Sequence, residues 1–345
     1  MTGRYDGLLV VAFGGPEGPD DVLPFLRNTV RGRGVPESRL REVAEHYRLF
    51  QGRSPINEQS RALVASISRV LKDRGEALPV YLGNRNWHPF LADTLATMRA
   101  GGVRNALAFF TSPYSSYSSC RQYLEDVERA RSEVGSGAPR FTRLRHYFNH
   151  PAFIEAVARG ARPFWERLSE AARGRAAILF SAHSIPLAMA KACDYEVQLR
   201  EASSLVAGAL APGHGWELVW QSRSGPPGVP WLDPQVTERL ESLAAAGVED
   251  VVLIPIGFIS DHVEVLYDLD VEAAEAASKL GLNLHRCPTV GTDIGFVEMI
   301  AELVAEKTEG RPPRWVGSLG PRVSPCVEGC CPPSAGSPGA LRPPD

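Results

Sequence analysis

A chain of 345 residues is long enough for two domains of ordinary size. Its 44% apolar and 22% charged residues are the composition of a globular protein with a sizeable core, which excludes a disordered chain, a collagen or a coiled-coil fibre. With 37 Lys and Arg against 40 Asp and Glu, the net charge is −3 and no basic run occurs, which argues against sequence-independent nucleic-acid binding. Short apolar runs alternate with longer amphipathic stretches. Residues 7–13 (GLLVVAF) read as a buried strand closed by Gly14-Gly15-Pro16, and 79–82, 103–110 and 141–144 as shorter strands, with helical patterns such as 58–74 and 119–133 between them. The order then restarts, with strands at 176–181, 217–221, 250–256 and 283–286 and helices such as 196–210 and 234–245. Strands alternating with helices predict βαβ units, and continuous rather than alternating apolar strands predict parallel sheets covered on both faces.

The second half is a faint copy of the first. Phe13-Gly14-Gly15-Pro16 aligns with His183-Ser184-Ile185-Pro186, Gly102-Val103 with Gly247-Val248, and Tyr123…Asp126-Val127 with Tyr267…Asp270-Val271, all in the same order. The expected architecture is α/β, two similar Rossmann-like domains facing a central cleft: 1–150, 151–315, and a Pro/Cys-rich tail at 316–345. Ligands of such folds sit beyond the carboxyl ends of the strands, so Phe13, Arg85, residues 114–120, His183, Arg223 and residues 261–264 are expected at the cleft. The longest apolar runs, such as 251–259, fall short of the roughly 18 residues a membrane helix needs. The start, Met1-Thr2-Gly3-Arg4-Tyr5-Asp6, has no apolar segment of a signal peptide, and the expected location is cytoplasmic.

Several constellations carry chemistry. His183 follows a buried strand in a loop held by Pro186; it is either a hydrogen-bonded strand-end residue or a group that takes a proton or a metal near neutral pH. Asp261, Glu264 and Asp268 fall at i, i+3 and i+7, as a capped, solvated acidic helix or as an acidic file leading into the cleft, with Asp261 placed to cap the helix start. One His and one carboxylate are too few for a closed structural metal site and suit a site that a metal passes through. Two loops carry aromatic and cationic groups: 221–232 with Arg223 and Trp231, and 84–89 with Arg85 and Trp87. Arg31, Arg33, His46, Tyr47, Arg53 and Ser54 suit an acidic small molecule, or form a solvated loop. The last 25 residues hold seven of the prolines and three of the six cysteines, Cys326, Cys330 and Cys331. With a fourth thiolate they would make an iron–sulfur or zinc site. Adjacent cysteines favour iron–sulfur, and Cys120, just past a strand, is the preferred fourth ligand, while Cys193 and Cys287 read as small core hydrophobes. No GxxxxGK[ST], GxSxG or GxGxxG occurs.

On GLLVVAFGGP (7–16), RGRG (31–34), HYRLFQGRSPIN (46–57), FSAHSIP (180–186), QSRSGPPGVPWL (221–232) and PIGFISDHVEVLYDLD (255–270), the chain resembles the ferrochelatase family over roughly residues 5–310. The resemblance implies a lyase that inserts ferrous iron into a porphyrin in haem biosynthesis, in a cleft between two Rossmann-like domains. It implies His183 and Glu264 as the catalytic pair and the site of the Fe(II) substrate, with Asp261 and Asp268 behind Glu264. Phe13, Arg31, His46, Tyr47, Ser54, Tyr123 and Trp231 are implied at the porphyrin. Phe13 stands where the family commonly has Tyr or Met, so an axial-ligand role is lost there. Cys120, Cys326, Cys330 and Cys331 resemble the ligands of the bacterial members that carry a 2Fe-2S cluster. The polar segment 17–21 favours coproporphyrin III, giving coprohaem, over protoporphyrin IX. The expected partners are porphyrin, ferrous iron and, transiently, other haem-pathway enzymes, with no nucleic acid and no transmembrane segment. Two alternatives stand: a cobalt or nickel chelatase for another tetrapyrrole, and a two-lobed non-enzymatic ligand-binding protein.

Overall fold

The computed structural model describes residues 5–32, 34–224, 228–322 and 329–333; Arg33, residues 225–227, Cys326 and most of the tail lie outside the described residues. Two four-stranded parallel sheets form. The strands are β1 (Gly7–Ala12), β2 (Val80–Asn84), β3 (Asn105–Phe110), β4 (Arg140–Arg143), β5 (Ala177–His183), β6 (Trp216–Gln221), β7 (Asp250–Ile254) and β8 (Asn283–Arg286). Their orders, β2-β1-β3-β4 and β6-β5-β7-β8, are the same topology twice. The central strands are the apolar runs GLLVVA and AILFSAH, which meet helices on both faces and so carry no alternation.

The helices are α1 (Val22–Thr29), α2 (Glu37–Arg48), α3 (Ile56–Asp73), α4 (Leu91–Ala100), α5 (Gln122–Val134), α6 (Pro151–Glu166), α7 (Glu170–Arg173), α8 (Leu187–Lys191), α9 (Tyr195–Leu210), α10 (Val236–Ala245), α11 (Val263–Leu266), α12 (Ala273–Leu280) and α13 (Ile294–Thr308). α5 is preceded by a π-helical turn, Tyr117–Arg121, and α11 is joined to α12 by another, Tyr267–Glu272. The two turns stand at corresponding places in the two halves, directly after the β3 and β7 loops, and π-turns of this kind frequently mark functional sites.

One apolar core runs through both halves. It joins Leu8, Phe109, Tyr147 and Phe153 to Phe180, Trp220 and Phe296. α13, last in the chain, packs on α3 of the first half and on α6. Polar groups also cross: Tyr114 Oη donates to the Ile256 carbonyl at 3.0 Å, and Ser115 and Gln198 exchange two hydrogen bonds of 2.8 and 2.7 Å. The buried Arg145 holds the half-buried Glu306 of α13 through Nη2 at 2.8 Å. A separate apolar cluster of Val22, Phe25, Leu26, Leu40, Tyr47 and Val263 seats α1 and α2 over the carboxyl ends of the strands.

The sequence placed most strands within two residues of their ends. Two details differ. Val103 and Arg104 precede β3, because the Asp6 carboxylate takes the backbone N–H groups of Arg104 and Asn105. Asp261 does not cap a helix. His262 is the N-cap of α11, and the Asp261 carboxylate is drawn to the Arg286 guanidinium at the end of β8.

Candidate active site

The site lies where the two sheets end. The loop after β1 is clamped first. Asn57 of α3 accepts from Gly15 N at 3.2 Å and donates to Gly15 O at 2.8 Å. A Cβ on Gly15 would come within 2.7 Å of Ser54 Cβ, so only glycine lets this turn close against Ser54. Phe13 therefore leaves the strand end in a fixed direction. Its ring meets Phe25 edge-on at 6.2 Å and stacks on His262 at 6.5 Å. The Arg85 guanidinium sits 5.8 Å from Phe13 and 4.2 Å over the Tyr123 ring. Arg85 is itself buried and paired with Asp126 at 2.5 Å.

On the facing side, β5 ends in His183. The sequence ended this strand at 181; it continues through His183, whose backbone lies beside Gln221 of β6. His183 Nδ1 is directed at the Ser184 carbonyl oxygen. A carbonyl only accepts, so Nδ1 carries the ring proton and Nε2 of the neutral imidazole presents a lone pair. Nε2 lies 3.7 Å from Glu264 Oε2. A carboxylate is also an acceptor. Two acceptors face each other there, and the arrangement is satisfied by a proton on the ring or by a cation bound between them. The side chains are 35% and 48% exposed, so both reach open space.

Behind Glu264, one helical turn on, the Asp268 carboxylate accepts from Gln221 Nε2 at 3.2 Å and from the Ser222 hydroxyl. Ser222 takes a left-handed φ of 60°, which costs energy for a residue with a Cβ and turns its hydroxyl toward Asp268. Burial, with the Glu264 charge second, raises Asp268 to about 7. A carboxyl with that value can hold or release a proton near neutrality. Burial pushes His262, beside Phe13, down from the ordinary histidine value.

The α1–α2 lip completes the wall. His46 stacks on Tyr267, 3.7 Å between centroids at 6°, which ties α2 to the π-turn of the other half. Burial lowers His46, and burial with the Glu264 charge raises the buried Tyr47 phenol. Tyr47 packs on Phe25 at 6.1 Å, and Phe25 on Trp87 at 6.3 Å. Trp231 lies on a loop zipped to the His183 loop: Leu187 N donates to Pro230 O, Leu232 N to Ile185 O, and Ser184 Oγ to Leu232 O.

The structure thus gathers Phe13, His46, His183 and Glu264 near the carboxyl ends of the strands, with Tyr47 buried in the α1–α2 cluster behind them, whereas Tyr123 is buried under the Arg85 guanidinium. Ser54 is buried against Gly15, and Arg31 is exposed, held by Asn28 Oδ1 at 3.0 Å. Arg223, expected at the cleft, pairs with Asp233 and Glu238 of its own loop and α10. Sequence reasoning missed Gln59, which accepts the Asp261 backbone N–H across the halves at 2.9 Å. Nothing in a single sequence marks such a contact. It also passed over Tyr195, whose hydroxyl reaches the His183 carbonyl.

The thiolate cluster falls partly outside the described residues. Cys120 is buried, with Arg143 Nη1 donating to its Sγ at 2.7 Å, and Cys331 is buried with a left-handed φ of 50°. Among the described residues, no three His, Cys, Asp or Glu side chains group so as to hold a metal ion. No described helix is long and apolar enough to cross a membrane.

These features agree with what the chain is similar to. A family model, Ferrochelatase, matches residues 5–308. The coproporphyrin III ferrochelatase of Nocardia farcinica is 49% identical over 341 residues, covering 95% of this chain and 97% of that protein. The ferrochelatase of Rhodopirellula baltica is 50% identical over 331 residues, covering 95% and 93%. A solved structure of SirB from Bacillus subtilis with Fe3+ superposes with a TM-score of 0.56 at 10% identity, covering 89% of this chain and 98% of that one, which shows a shared fold. The chain belongs to the ferrochelatase family. It is a lyase of haem synthesis, placing iron in a porphyrin ring.

Proposed function

We propose that the porphyrin is coproporphyrin III and that His183 and Glu264 carry the insertion. The opposed acceptors, His183 Nε2 and Glu264 Oε2 at 3.7 Å, are the observation that carries this reading. A free-base porphyrin must lose two pyrrole protons as Fe(II) enters. His183 Nε2, with its lone pair directed into the cleft, accepts one. Glu264 accepts or relays the other, with Asp268 behind it as the next carboxyl. Fe(II) enters as substrate at the same pair. Phe13, Tyr47 and Trp231 supply the apolar walls, with His46 beside them on its Tyr267 stack. The exposed Arg31 meets a propionate, and Ser54 and Tyr123, both buried, back the wall. The Phe13 ring has no lone pair for iron, so it can pack on the macrocycle but not ligate the product. A pocket that bends the ring supplies about 1–5 kcal/mol of strain toward the transition state.

Coproporphyrin III is favoured by the names of the relatives and by the lip. Asp21 caps the backbone at Glu17 and Glu17 pairs with Arg61 at 2.7 Å, which keeps segment 17–21 polar at the cleft mouth, where a four-propionate ring meets water. Residues 1–150 and 151–315 serve as the two chelatase halves, in the cytoplasm, in transient contact with the enzymes that pass porphyrin on.

Cys120, Cys326, Cys330 and Cys331 would hold a 2Fe-2S cluster, with Cys326 outside the described residues. The donor chemistry at Cys120 supports this assignment: a buried sulfur facing a guanidinium suits a thiolate. Such a cluster would supply a covalent clip and a one-electron store. His183→Ala should abolish insertion while porphyrin binding, followed by fluorescence quenching, stays within about threefold, well under one tenfold step of 1.4 kcal/mol. Full turnover in that variant would refute the assignment of His183.

A further inference from the structure

β5 runs past its neighbour β7. The β5–β7 pairing ends at Phe180 and Ile254, with one further bond from Gly257 N to Ser181 O at 3.0 Å, so His183 extends beyond the sheet on that side. Tyr195, the first residue of α9, reaches it: its hydroxyl donates to the His183 carbonyl at 3.0 Å. Tyr195 is buried, its ring 6.1 Å from both Tyr114 and Trp220, so the hydroxyl has little freedom to leave.

The same helix is gripped by the tail. Asp194, its N-cap, pairs with Arg322. Two turns on, Glu201 Oε2 accepts from Ser318 N at 2.8 Å, Ser318 Oγ at 2.7 Å and Leu319 N at 3.0 Å. Asn149 braces both, donating to Glu201 Oε1 at 3.2 Å and to Gly320 O at 2.9 Å. Glu201 therefore gathers donors that the tail loop would otherwise leave to water, and the carboxylate makes each a charge-assisted bond.

We infer that Tyr195 is a positioning residue for His183, and that the tail loop 316–322, by holding α9 through Asp194 and Glu201, sets where Tyr195 places it. The inference rests on the reading of His183 as a reacting group. A loosened tail shifts α9, and α9 carries the shift to the His183 backbone and so to the separation of Nε2 from Glu264. The chemical step should feel this and porphyrin binding should not, because the ring contacts of Phe13, His46 and Tyr47 run to Phe25 of α1, to His262 and to Tyr267.

The test uses the full-length protein in anaerobic ferrous insertion with coproporphyrin III, measuring kcat and KM for Tyr195→Phe, Glu201→Ala, their double variant and His183→Ala, with thermal melting as a folding control. Tyr195→Phe keeps the ring and removes one neutral hydrogen bond, so kcat should fall about three- to tenfold with KM for porphyrin unchanged. Glu201→Ala should lower kcat in the same way, and the double variant should be no slower than the slower single variant within about twofold, as coupled sites are non-additive. If Glu201→Ala fails to fold, Ser318→Ala, which removes one hydroxyl from the same grip, takes its place in the cycle. An unchanged kcat for Tyr195→Phe, an effect of Glu201→Ala on melting alone, or losses that multiply in the double variant would overturn the inference. Inactive His183→Ala beside a fully active Tyr195→Phe overturns the positioning role alone. Active His183→Ala overturns the reading of His183 and this inference with it.

Discussion

Asp268→Asn should stabilise the protein at neutral pH and leave it almost unchanged in acid. The folded Asp268 carboxyl titrates at about 7, against an ordinary aspartate value of 3.8, because it is buried and faces the Glu264 charge. A raised folded value means the native state holds this proton when the unfolded chain has already lost it. The contribution to stability is whole below the unfolded value and is lost as pH rises from near 4 to near 7, after which it is flat. Three units at 1.36 kcal/mol each amount to roughly 4 kcal/mol at pH 8, and one unit to roughly 1–2 kcal/mol at pH 5. Asparagine keeps the shape and the bonds to Ser222 and Gln221 without carrying the charge. Urea unfolding at pH 5, 6, 7 and 8 should therefore show the variant gaining on the parent protein step by step up to pH 7 and levelling there. A stability difference that is constant with pH, or that shrinks toward neutrality, would show that Asp268 is ionised in the fold and that the acidic file is merely solvated.

Arg85→Met tests the buried pair under the cleft. It leaves Asp126 with only the partly exposed Arg129, and breaking a buried pair from one side costs about 3–5 kcal/mol, read as a lower urea midpoint with unchanged slope. A loss under about 1 kcal/mol, the value of a surface pair, would show that the Arg85–Asp126 contact is solvated. Cys330→Ser should bleach the visible absorbance expected of a cluster and lower the melting temperature. A colourless parent protein with no bound iron or sulfide would refute the cluster assignment.

The sheets were legible because their central strands are unbroken apolar runs, and the repeat was legible because equivalent strands end in equivalent turns. The site was legible where a residue directly follows a strand, as Phe13 and His183 do. What stayed hidden depends on partners far away in the chain. Asp261 looks like a cap from its neighbours alone, but Arg286, 25 residues on, takes its carboxylate. His46 reads as one of several polar groups for an acidic ligand until Tyr267 stacks on it from the other half. The π-turns at 117–121 and 267–272 leave no periodicity that differs from an ordinary helix over so few residues. α1 and α2 were not read as helices, because their apolar positions make sense only against Val263 and the strand ends.

The most direct test is anaerobic insertion of ferrous iron, followed by absorbance, with coproporphyrin III and protoporphyrin IX in parallel. Turnover of coproporphyrin III should be the faster, and both activities should be lost in His183→Ala. Faster turnover of protoporphyrin IX would contradict the substrate assignment, and turnover of neither by folded protein would contradict the function itself.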